Sequence, residues 1–460
     1  MIVQFYRCLS VRRNIFLMRR KHSSRNVLKY QDKGLFHDIF PSNSAHEIID
    51  LCNGAPQTVY AGFDPTARSL HVGNLLILAN LLHWHRGGHH VIALIGGATG
   101  RIGDPSGKNK EREEQKEEIV KENVNYISNI ILKIFENHKK YFWHENTPLV
   151  PVSLVNNAEW YKSLSCVDFI CGIGRHLRLG QMLSRTSVAS RLQSEQGISF
   201  TEFSYQVFQA YDWLHLLNKY NCRIQIGGSD QIGNIMTGHE LITRVTRKSV
   251  YGVVAPLITS ESGDKFGKTA GNAVWLDPNM TSPFELYQFF MRLPDSKVSE
   301  ILSLLTFLSA GEVKDLVASH MKEPDLRKGQ KYVAEKITLL VHGEEGLASA
   351  KNTTKALYSR DIKALAGLSS EDLTSGLRGA EFVEILLRPG ITVLEAALAA
   401  RCFLSQSDAE RIIKAGGFYV NHQRSTNPSE ILVNGLHILP NKISLLRVGK
   451  KNYWIIKWLS

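Results

Sequence analysis

The chain has 460 residues, of which 43% are hydrophobic and 21% charged, and its formal net charge is +12. This length predicts two to four domains, and the composition is typical of a globular protein in water. Because no run of 18 residues is free of charge, the sequence does not favour a membrane-spanning helix. Six cysteines are scattered without a C-x-x-C pair, which argues against a disulfide framework or a zinc site.

The positive charge is concentrated at the two ends of the chain. Residues 1–31 contain eight Lys and Arg and no acidic residue, and residues 391–460 contain nine basic against four acidic residues. The first segment interleaves arginine with apolar residues, which is typical of a mitochondrial transit peptide. Paired arginines interrupt the apolar run that a secretory signal needs. We therefore predict a transit peptide at 1–31 and a mitochondrial matrix location; a disordered basic arm is the alternative.

The first half of the chain alternates short apolar runs with glycine turns. Residues 57–61 read as a strand, residues 75–84 repeat at helical spacing, and residues 91–95 form a second apolar run before Gly96. Residues 223–226 read as a further buried strand. Strand–glycine–helix units in succession predict a doubly wound parallel sheet with its ligand site at the carboxyl ends of the strands.

The second half changes character twice. Thr281-Ser282-Pro283 is a helix-start signal, and helical periodicity dominates from there to about residue 387. Two short helical patterns, a double-glycine turn and strand-like segments follow. We predict an α/β, Rossmann-like domain at 32–280, an α-helical domain at 281–388 and a small α+β domain at 389–460.

Three segments carry side chains suited to nucleotide chemistry. H-V-G-N at 71–74 lies at a predicted helix start, where free N–H groups and the helix dipole favour phosphate. The glycine-rich segment 97–108 contains Asp104 but lacks the G-x4-G-K-[ST] spacing of a P-loop. K-F-G-K-T at 265–269 places two lysines three apart in a glycine-flanked stretch. Each segment alone is a weak signal.

Together, in this order, these segments resemble the signatures of class I aminoacyl-tRNA synthetases. H-V-G-N is similar to their HIGH motif, and K-F-G-K-T to their KMSKS loop. Longer runs narrow the resemblance to tyrosyl-tRNA synthetases of bacterial and organellar type: YAGFDPTARSL at 60–70, FTEFSYQVFQAYD at 200–212 and QIGGSDQIGN at 225–234. The resemblance covers nearly the whole chain after residue 31.

The resemblance implies a tyrosine–tRNA ligase. In that reaction the carboxylate of tyrosine attacks the α-phosphorus of ATP, giving tyrosyl-adenylate and pyrophosphate. A terminal ribose hydroxyl of tRNA(Tyr) then accepts the tyrosine. ATP with Mg²⁺ is the implied co-substrate, without a dedicated metal site on the protein.

The same resemblance implies residue roles. Tyrosine would be bound by Tyr60, Asp104, Tyr205, Gln209, Asp212 and Gln225, with Tyr60 and Asp212 at its phenolic hydroxyl. ATP would be bound by Asp64, His71, Gly73, Asp230, Gln231 and Lys268. The catalytic residues would be His71, Asn74, Lys265, Lys268 and Thr269, which stabilise the leaving pyrophosphate or, for Asn74, donate to the ribose or a phosphate.

The spacing within one run adds support from geometry. Tyr205, Gln209 and Asp212 are spaced i, i+4 and i+7, so one face of a helix would carry all three. Asn74 departs from the family pattern, since the HIGH motif has histidine at its position. Because an amide N–H can still donate to the ribose or a phosphate, we expect activity to be retained, with an altered affinity for ATP.

The basic C-terminal segment resembles an S4-type RNA-binding module, carried by FLSQSDAERIIKAGGFYVNHQR at 403–424. The predicted RNA contacts are Arg411, Lys414, Arg424, Lys450 and Lys451, whose binding should weaken with salt. The helical domain at 281–388 would meet the anticodon arm. The tyrosyl family is homodimeric, and its dimer-forming insertion is expected at about 145–205.

Two other interpretations stay open on the sequence. A tryptophan–tRNA ligase would share the fold, although Tyr60 and Asp212 favour a phenol. An RNA-binding or splicing cofactor built on a synthetase scaffold would keep the S4-like segment without needing catalysis. The nearly complete set of active-site residues favours the enzyme.

Overall fold

The computed structural model of the chain describes residues 25–107, 111–259, 266–269, 272–358, 362–368, 380–449 and 452–459. By packing, the chain divides into a first unit, residues 1–280 with 293–341, and a second unit, residues 281–292 with 342–460. The predicted helical domain at 281–388 is therefore shared between the two units. Packing units and functional domains need not coincide, so the functional boundaries stay a prediction.

Six strands build the central sheet of the first unit: β1 (Asp38–Phe40), β2 (Thr58–Phe63), β3 (His90–Ile95), β4 (Ser153–Asn156), β5 (Cys222–Gly228) and β6 (Tyr251–Ala255). Their order is β1-β6-β5-β2-β3-β4. Only β1 runs antiparallel to its neighbour. From β2 the chain winds outward to β3 and β4 on one side and to β5 and β6 on the other. The predicted doubly wound sheet is confirmed, with its switch point between β2 and β5.

The described helices follow in chain order: α1 (Ala45–Gly54), α2 (Val72–Arg86), α3 (Thr99–Ile102), α4 (Glu117–Tyr141), α5 (Ala158–Tyr161), α6 (Cys166–Gly172), α7 (Leu179–Leu183), α8 (Thr186–Leu192), α9 (Phe200–Tyr220), α10 (Ile232–Thr246), α11 (Pro283–Met291), α12 (Asp295–Leu305), α13 (Ala310–Lys322), α14 (Lys328–Tyr358), α15 (Ile362–Ala366), α16 (Val393–Ala399) and α17 (Gln406–Lys414). Short 3-10 helices lie at Val27–Lys33, Gly174–His176, Ser229–Gln231 and Pro324–Leu326.

Burial explains why the parallel strands are nearly continuous apolar runs. Every residue of β6 is buried, and in β3 only His90 is partly exposed, because helices cover both faces of a parallel sheet. Helix α2 is correspondingly apolar around most of its circumference and buries eleven of its fifteen residues. The site described below therefore stands on a rigid scaffold.

Helix α9 is placed by its two ends and by one buried face. The Ser199 side chain accepts a hydrogen bond from the backbone N–H of Glu202, and Asn221 closes the helix in the left-handed conformation, with φ 51°. Inside the core, Trp213 is fully buried and its indole N–H donates to the carbonyl of Cys222 at 3.2 Å. This anchoring fixes the rotation of α9 about its axis.

The end of the predicted transit segment is packed into the first unit. Val27 and Leu28 are buried, and Asn26 caps the 3-10 helix that follows it. The carbonyl of Arg25 lies 2.7 Å from Nε2 of His89, a buried histidine of the core. Residues 25–31 therefore behave as part of the folded unit, whereas residues 1–24 lie outside the described residues.

A five-stranded sheet organises the second unit. Its strands are β9 (Glu381–Leu386), β10 (Phe418–Val420), β11 (Gln423–Ser425), β12 (Ile443–Val448) and β13 (Asn452–Leu459). The numbering allows for a short pair in the first unit, β7 (Lys268–Thr269) and β8 (Asn272–Ala273). The order is β11-β10-β12-β13-β9. The sheet thus starts at residue 381, ahead of the predicted boundary at 389. Along the described ranges, no helix is both long and apolar enough to cross a bilayer.

The two faces of this sheet carry two separate cores. One face packs with α16 and α17 through side chains such as Phe418, Leu446 and Trp458. The other face, which includes Leu445 and Ile455, packs with the end of α14 and with α15. The two short helices, the glycine turn and the strand predicted after residue 391 are confirmed.

The contact between α9 and α10 gives a test of the packing. A methyl group at Gly238 of α10 would lie 2.7 Å from Cε3 of Trp213, whose ring cannot move aside without leaving Cys222. We expect Gly238→Ala to lower the free energy of unfolding by about 1–3 kcal/mol.

Gly233→Ala is the matched control on the same helix. A methyl group there meets only Arg185 and Ser187, at 3.5 Å or more, so the gain in helix propensity of about 1 kcal/mol should dominate. Thermal or urea unfolding of both variants measures the difference. Equal stability of the two variants would contradict this account of the helix contact.

Candidate active site

Polar residues gather where the central strands end. β2 leads to Asp64, β3 to Thr99, β4 to Asn157 and β5 to the 3-10 turn Ser229–Gln231. Because β2 to β5 are parallel, their carboxyl ends lie along one edge of the sheet. The face of α9 that carries Tyr205 and Asp212 turns toward these ends.

Asp212 is the most deeply held carboxylate of the group, only 2% exposed. Its Oδ1 accepts hydrogen bonds from the Trp160 indole and the Tyr161 hydroxyl, both at 2.9 Å, and its Oδ2 accepts one from Asn157 Nδ2 at 3.0 Å. Burial raises the pKa of this carboxyl to about 7, although the three hydrogen bonds oppose the shift. Oδ2 keeps room for one further donor.

Tyr60 supplies a second polar group beside Asp212. Its hydroxyl is buried and has no hydrogen-bond partner among the described residues. Burial raises the pKa of Tyr60 well above its usual value, and the charge of Asp212 adds to the rise, which places the two groups close together. A buried hydroxyl without a partner is costly, so the pair indicates a site for a polar group of a ligand.

Asp64 holds the next position along the strand ends. It accepts hydrogen bonds from the Tyr205 hydroxyl and from Thr99 Oγ1, both at 2.8 Å. Burial raises the pKa of this carboxyl to about 6. The sequence placed Asp64 with ATP and Tyr205 with tyrosine, and the structure joins the two by a hydrogen bond.

Two glutamines complete the predicted tyrosine set. Gln209 is half-buried on the face of α9 that carries Tyr205, so the predicted helical face is confirmed. Gln225 of β5 is only 3% exposed, and its Oε1 has no partner among the described residues. Like Tyr60, it presents a buried polar atom that a ligand can satisfy.

Asp104 belongs to a separate polar cluster. Its Oδ2 accepts from Gln231 Nε2 at 2.6 Å and its Oδ1 from Asn234 Nδ2 at 3.3 Å. Asn234 also donates to Gln231 Oε1 at 3.0 Å. Gln231 and Asn234 follow β5, and Asp230 is half-exposed beside them. The predicted residues Asp104 and Gln231 are therefore brought together, although the sequence assigned them to different ligands.

The H-V-G-N motif forms the start of α2. His71 is the residue before the helix, and its backbone N–H donates to Asn74 Oδ1 at 3.0 Å, while the Asn74 N–H donates to the His71 carbonyl at 2.8 Å. The amide at the fourth position thus caps the helix. The sequence assigned Asn74 to the ribose or a phosphate; the structure gives its Oδ1 a partner within the protein.

The K-F-G-K-T segment lies directly against this helix start. A methyl group at Gly267, whose φ is +92°, would lie 3.1 Å from the Gly73 nitrogen, and one at Gly73 would lie 3.4 Å from the carbonyl oxygen of Phe266. Val274 links the two segments: its carbonyl accepts from the Val72 N–H, and its N–H donates to the Gly267 carbonyl, both at 2.8 Å. At Gly267 the close approach and the positive φ together favour glycine.

The structure describes only one of the two lysines of this segment. The backbone of Lys268 and Thr269 forms β7, which pairs with β8. Lys265 lies outside the described residues. The part of the loop that is described runs beside the helix start at Gly73; the catalytic roles of the two lysines and of Thr269 stay a prediction.

The predicted RNA contacts lie in the second unit. Arg411 and Lys414 are exposed on α17, where they pair with Asp408 at 2.8 Å and Glu410 at 3.6 Å. Arg424 donates to the carbonyls of Gly416 and Ala415, at the carboxyl end of the same helix. Lys450 and Lys451 lie outside the described residues.

Sequence reasoning missed the residues that hold the predicted ones in place. Asn157, Trp160 and Tyr161 surround Asp212, Thr99 binds Asp64, and Asn234 binds Asp104. One signal was available, because Asn157 directly follows a strand at the ligand edge of the sheet. The short, half-exposed β4 does not stand out as a strand, so that signal was hidden.

Comparisons with known proteins agree with this geometry. The family described as tRNA synthetases class I (W and Y) matches residues 53–359. The chain is 54% identical to the mitochondrial tyrosine–tRNA ligase of Drosophila melanogaster, over 95% of this chain and 96% of that one. It is 46% identical to the mitochondrial tyrosine–tRNA ligase of Homo sapiens, over 96% and 94% of the two chains.

A solved structure is similar over the same region. It is that of a C-terminally truncated mitochondrial tyrosyl-tRNA synthetase from Aspergillus nidulans, with a TM-score of 0.66 and 30% identity. The similarity covers 73% of this chain and 94% of that one.

Proposed function

The chain belongs to the tyrosine–tRNA ligases of the class I tRNA synthetase family, and from this premise we propose how its site works. It is a mitochondrial member, since relatives at 46% and 54% identity over nearly the whole chain are mitochondrial ligases. Its reaction joins tyrosine to tRNA with ATP as co-substrate. The observation that carries our account of the site is the buried pair of Tyr60 and Asp212.

We propose that this pair recognises the phenolic hydroxyl of tyrosine. The hydroxyl would donate to Asp212 Oδ2 and exchange a hydrogen bond with the Tyr60 hydroxyl, which has no described partner in its absence. Phenylalanine would leave both buried groups unsatisfied, and tyrosyl-tRNA synthetases are the usual illustration of this kind of rejection. Trp160, Tyr161 and Asn157 keep the Asp212 carboxylate in position for this role.

The amino-acid end of tyrosine would lie toward the mouth of the site. Its ammonium group would bind near Asp104, Tyr205 and Gln209, and its carboxylate near Gln225 and Gln231. The hydrogen bonds from Tyr205 to Asp64 and from Gln231 to Asp104 hold these side chains before the ligand arrives. Such preorganisation places the reacting carboxylate without a further loss of side-chain freedom.

ATP would bind against the start of α2. The positive end of the helix dipole at the start of α2 favours its phosphates, and Asp230 would meet the ribose. Lysines 265 and 268 and Thr269 would add positive and donor groups where charge develops on pyrophosphate. Mg²⁺ would arrive with ATP as part of the substrate; within the described ranges no group of three or more His, Cys, Asp or Glu could hold a resident ion.

The main role of Asn74 would be to order the helix start, with any contact to the nucleotide secondary. Its Oδ1 fixes the backbone N–H of His71, so it sets the position of the imidazole and of the following N–H groups. The amide N–H₂ of Asn74 would stay available for the ribose or a phosphate.

We propose a homodimer formed through the insertion between β4 and α9. The helices α6 to α8 and the start of α9 expose large apolar side chains: Val167, Ile170, Leu179, Leu183, Leu192 and Phe200. Leu179 is 61% and Phe200 77% exposed, and a concentration of exposed apolar side chains favours an interface. A second copy of the chain is the partner that the family resemblance implies.

The two ends of the chain would serve import and RNA binding. We propose that the removed transit segment ends before Arg25, since residues 25–31 pack into the first unit. The second unit, with its S4-like arrangement of α16, α17 and the sheet, would bind tRNA(Tyr).

Exchange of pyrophosphate into ATP by the full chain tests the proposed function. Tyrosine should support exchange, and phenylalanine and tryptophan should not. In Tyr60→Phe we expect a higher KM for tyrosine and a smaller preference for tyrosine over phenylalanine, because one of the two groups that report the hydroxyl is lost. Folded protein without tyrosine-dependent exchange would refute the proposal.

Tyrosine binding should depend on pH through Asp212. The pKa of this buried carboxyl is about 7, and only its ionised form keeps Oδ2 as a pure acceptor. We expect the affinity for tyrosine to fall about tenfold between pH 8 and pH 6, as the ionised fraction falls. Calorimetry without ATP isolates this effect, since the ammonium and carboxylate groups of tyrosine do not titrate in that range.

The same measurement has an internal control. Tyr60→Phe should bind more weakly at every pH and keep the same midpoint, because the phenol of Tyr60 does not titrate there. Asp64, with a pKa of about 6, contributes only at the acidic end of the range. An affinity that stays constant from pH 6 to pH 8 would rule out Asp212 as the acceptor.

The dimer is tested by a charge in the exposed apolar face. Leu179→Glu should shift the protein from dimer to monomer in sedimentation equilibrium at micromolar concentration, since an interface core does not accommodate an unpaired carboxylate. Leu404→Glu, at a fully exposed leucine of the second unit, is the matched control. A Leu179→Glu protein that stays dimeric would place the interface elsewhere.

A further inference from the structure

The second unit carries a row of aromatic and cationic side chains across three strands of its sheet. The strand register pairs Tyr419 of β10 with Arg447 of β12, and Arg447 with Tyr453 of β13. Directly paired residues of neighbouring strands project from the same face. Tyr419, Arg447 and Tyr453, here called the sheet row, therefore form one transverse line.

The sheet row faces away from α16 and α17. The residues that alternate with it, Phe418, Leu446 and Trp454, belong to the core beneath those helices. The opposite face is covered farther along β12 and β13 by the end of α14 and by α15, where Leu445 and Ile455 are buried. The sheet row lies at the edge of this cover: its three side chains are partly exposed, and Tyr453 also packs against the covered core.

Contacts within the sheet row join its members. Arg447 Cζ lies 3.8 Å from the centre of the Tyr419 ring, and Arg447 Nη1 donates to the Gly449 carbonyl at 2.6 Å. Burial raises the pKa of Tyr453, the charge of Arg447 lowers it and Tyr358 raises it. The exposed Tyr358 at the end of α14 therefore lies near the same row.

The surroundings of the Arg447 side chain differ from those of the predicted RNA contacts. Arg411 and Lys414 each pair with a carboxylate on their own helix, and Arg424 is bound by two backbone carbonyls. Across the described residues, no carboxylate lies within ion-pair distance of Arg447. Its guanidinium therefore keeps a charge that no described carboxylate neutralises, although it also donates to the Gly449 carbonyl.

We propose that the sheet row is a stacking platform for unpaired nucleotides of tRNA, on the face opposite α16 and α17. Aromatic rings that alternate with a guanidinium bind the face of a base and the adjacent phosphate at once. A duplex hides its base faces, so the platform selects single-stranded or looped-out nucleotides. The inference rests on the proposed function and adds to it a second RNA-binding face with a defined chemistry.

Binding of an unmodified tRNA(Tyr) transcript to the full chain tests the platform. Tyr419→Leu should weaken binding about tenfold through the loss of stacking, whereas Tyr419→Phe, which keeps the ring, should bind like the unaltered chain. Arg447→Gln should weaken binding and lower the slope of log affinity against log salt by about 1, as expected for one lost phosphate contact. Arg411→Gln, at a predicted RNA contact of the helical face, should weaken binding independently, so that its effect adds to that of Tyr419→Leu.

A second probe distinguishes unpaired from paired RNA. Short single-stranded oligoadenylate should compete with the transcript for the unaltered chain and lose this ability with Tyr419→Leu, whereas a duplex RNA should be unaffected by the substitution. Equal losses in Tyr419→Leu and Tyr419→Phe, or unaltered binding in both Tyr419→Leu and Arg447→Gln, would overturn the inference. Tyrosine-dependent exchange should stay normal in every variant; its absence from the unaltered chain would instead refute the proposed function.

Discussion

The burial of one carboxylate, Asp212, constrains more of the first unit than any other group. Removing a carboxylate from water is costly unless hydrogen bonds replace the solvent. Three donors do so, and all come from the segment after β4. The edge strand β4 must therefore lie in register beside β3, and α9 must present Asp212 toward the strand ends.

These hydrogen bonds offset only part of the cost of burying the Asp212 carboxylate. The pKa of Asp212 is raised to about 7, so the folded state holds the proton more tightly than the unfolded chain does. The stabilising effect of this proton is fully present below the unfolded pKa and is lost as the pH rises through 7. Above pH 7 the ionised Asp212 therefore makes the fold less stable than the protonated form would, and it leaves the acceptor that we propose for the substrate hydroxyl.

Asn157 links the hydrogen bonds of Asp212 to those of several other elements. Its side chain accepts from the Ala98 N–H and donates to both Thr99 and Asp212. Thr99 in turn donates to Asp64, which also accepts from Tyr205 on α9. Hydrogen bonds in such a connected network support one another. Asp212, which we propose binds the phenolic hydroxyl, and Asp64, which we predict binds ATP, are thus held by a single set of contacts.

The sequence predicted the parts of this arrangement that depend on local patterns. The apolar runs at 57–61, 91–95 and 223–226 became strands of a parallel sheet, and the i, i+4, i+7 spacing did place Tyr205, Gln209 and Asp212 on one helix. Those predictions succeeded because periodicity and buried runs are properties of the chain itself.

The parts that depend on distant partners were not predictable in this way. Asn157 lies 55 positions from Asp212, and nothing in its neighbourhood marks it as a partner of a buried acid. Arg424 was predicted as an RNA contact from its charge, yet charge alone does not distinguish a phosphate ligand from a residue that binds two helix carbonyls. The strands β4 and β6 were not predicted at all, and β4 is too short and too exposed to show an apolar pattern.

The departure at Asn74 can be understood from the start of α2. The side chain at this position lies one turn into the helix, where an acceptor satisfies the exposed N–H of His71. Asparagine supplies that acceptor, so the order of the helix start does not depend on a second histidine. The neighbouring Gly73 is tightly constrained, because a methyl group there would lie 2.8 Å from the His71 ring. Asn74 and Gly73 thus both shape the start of α2, which we propose as the site of the phosphates.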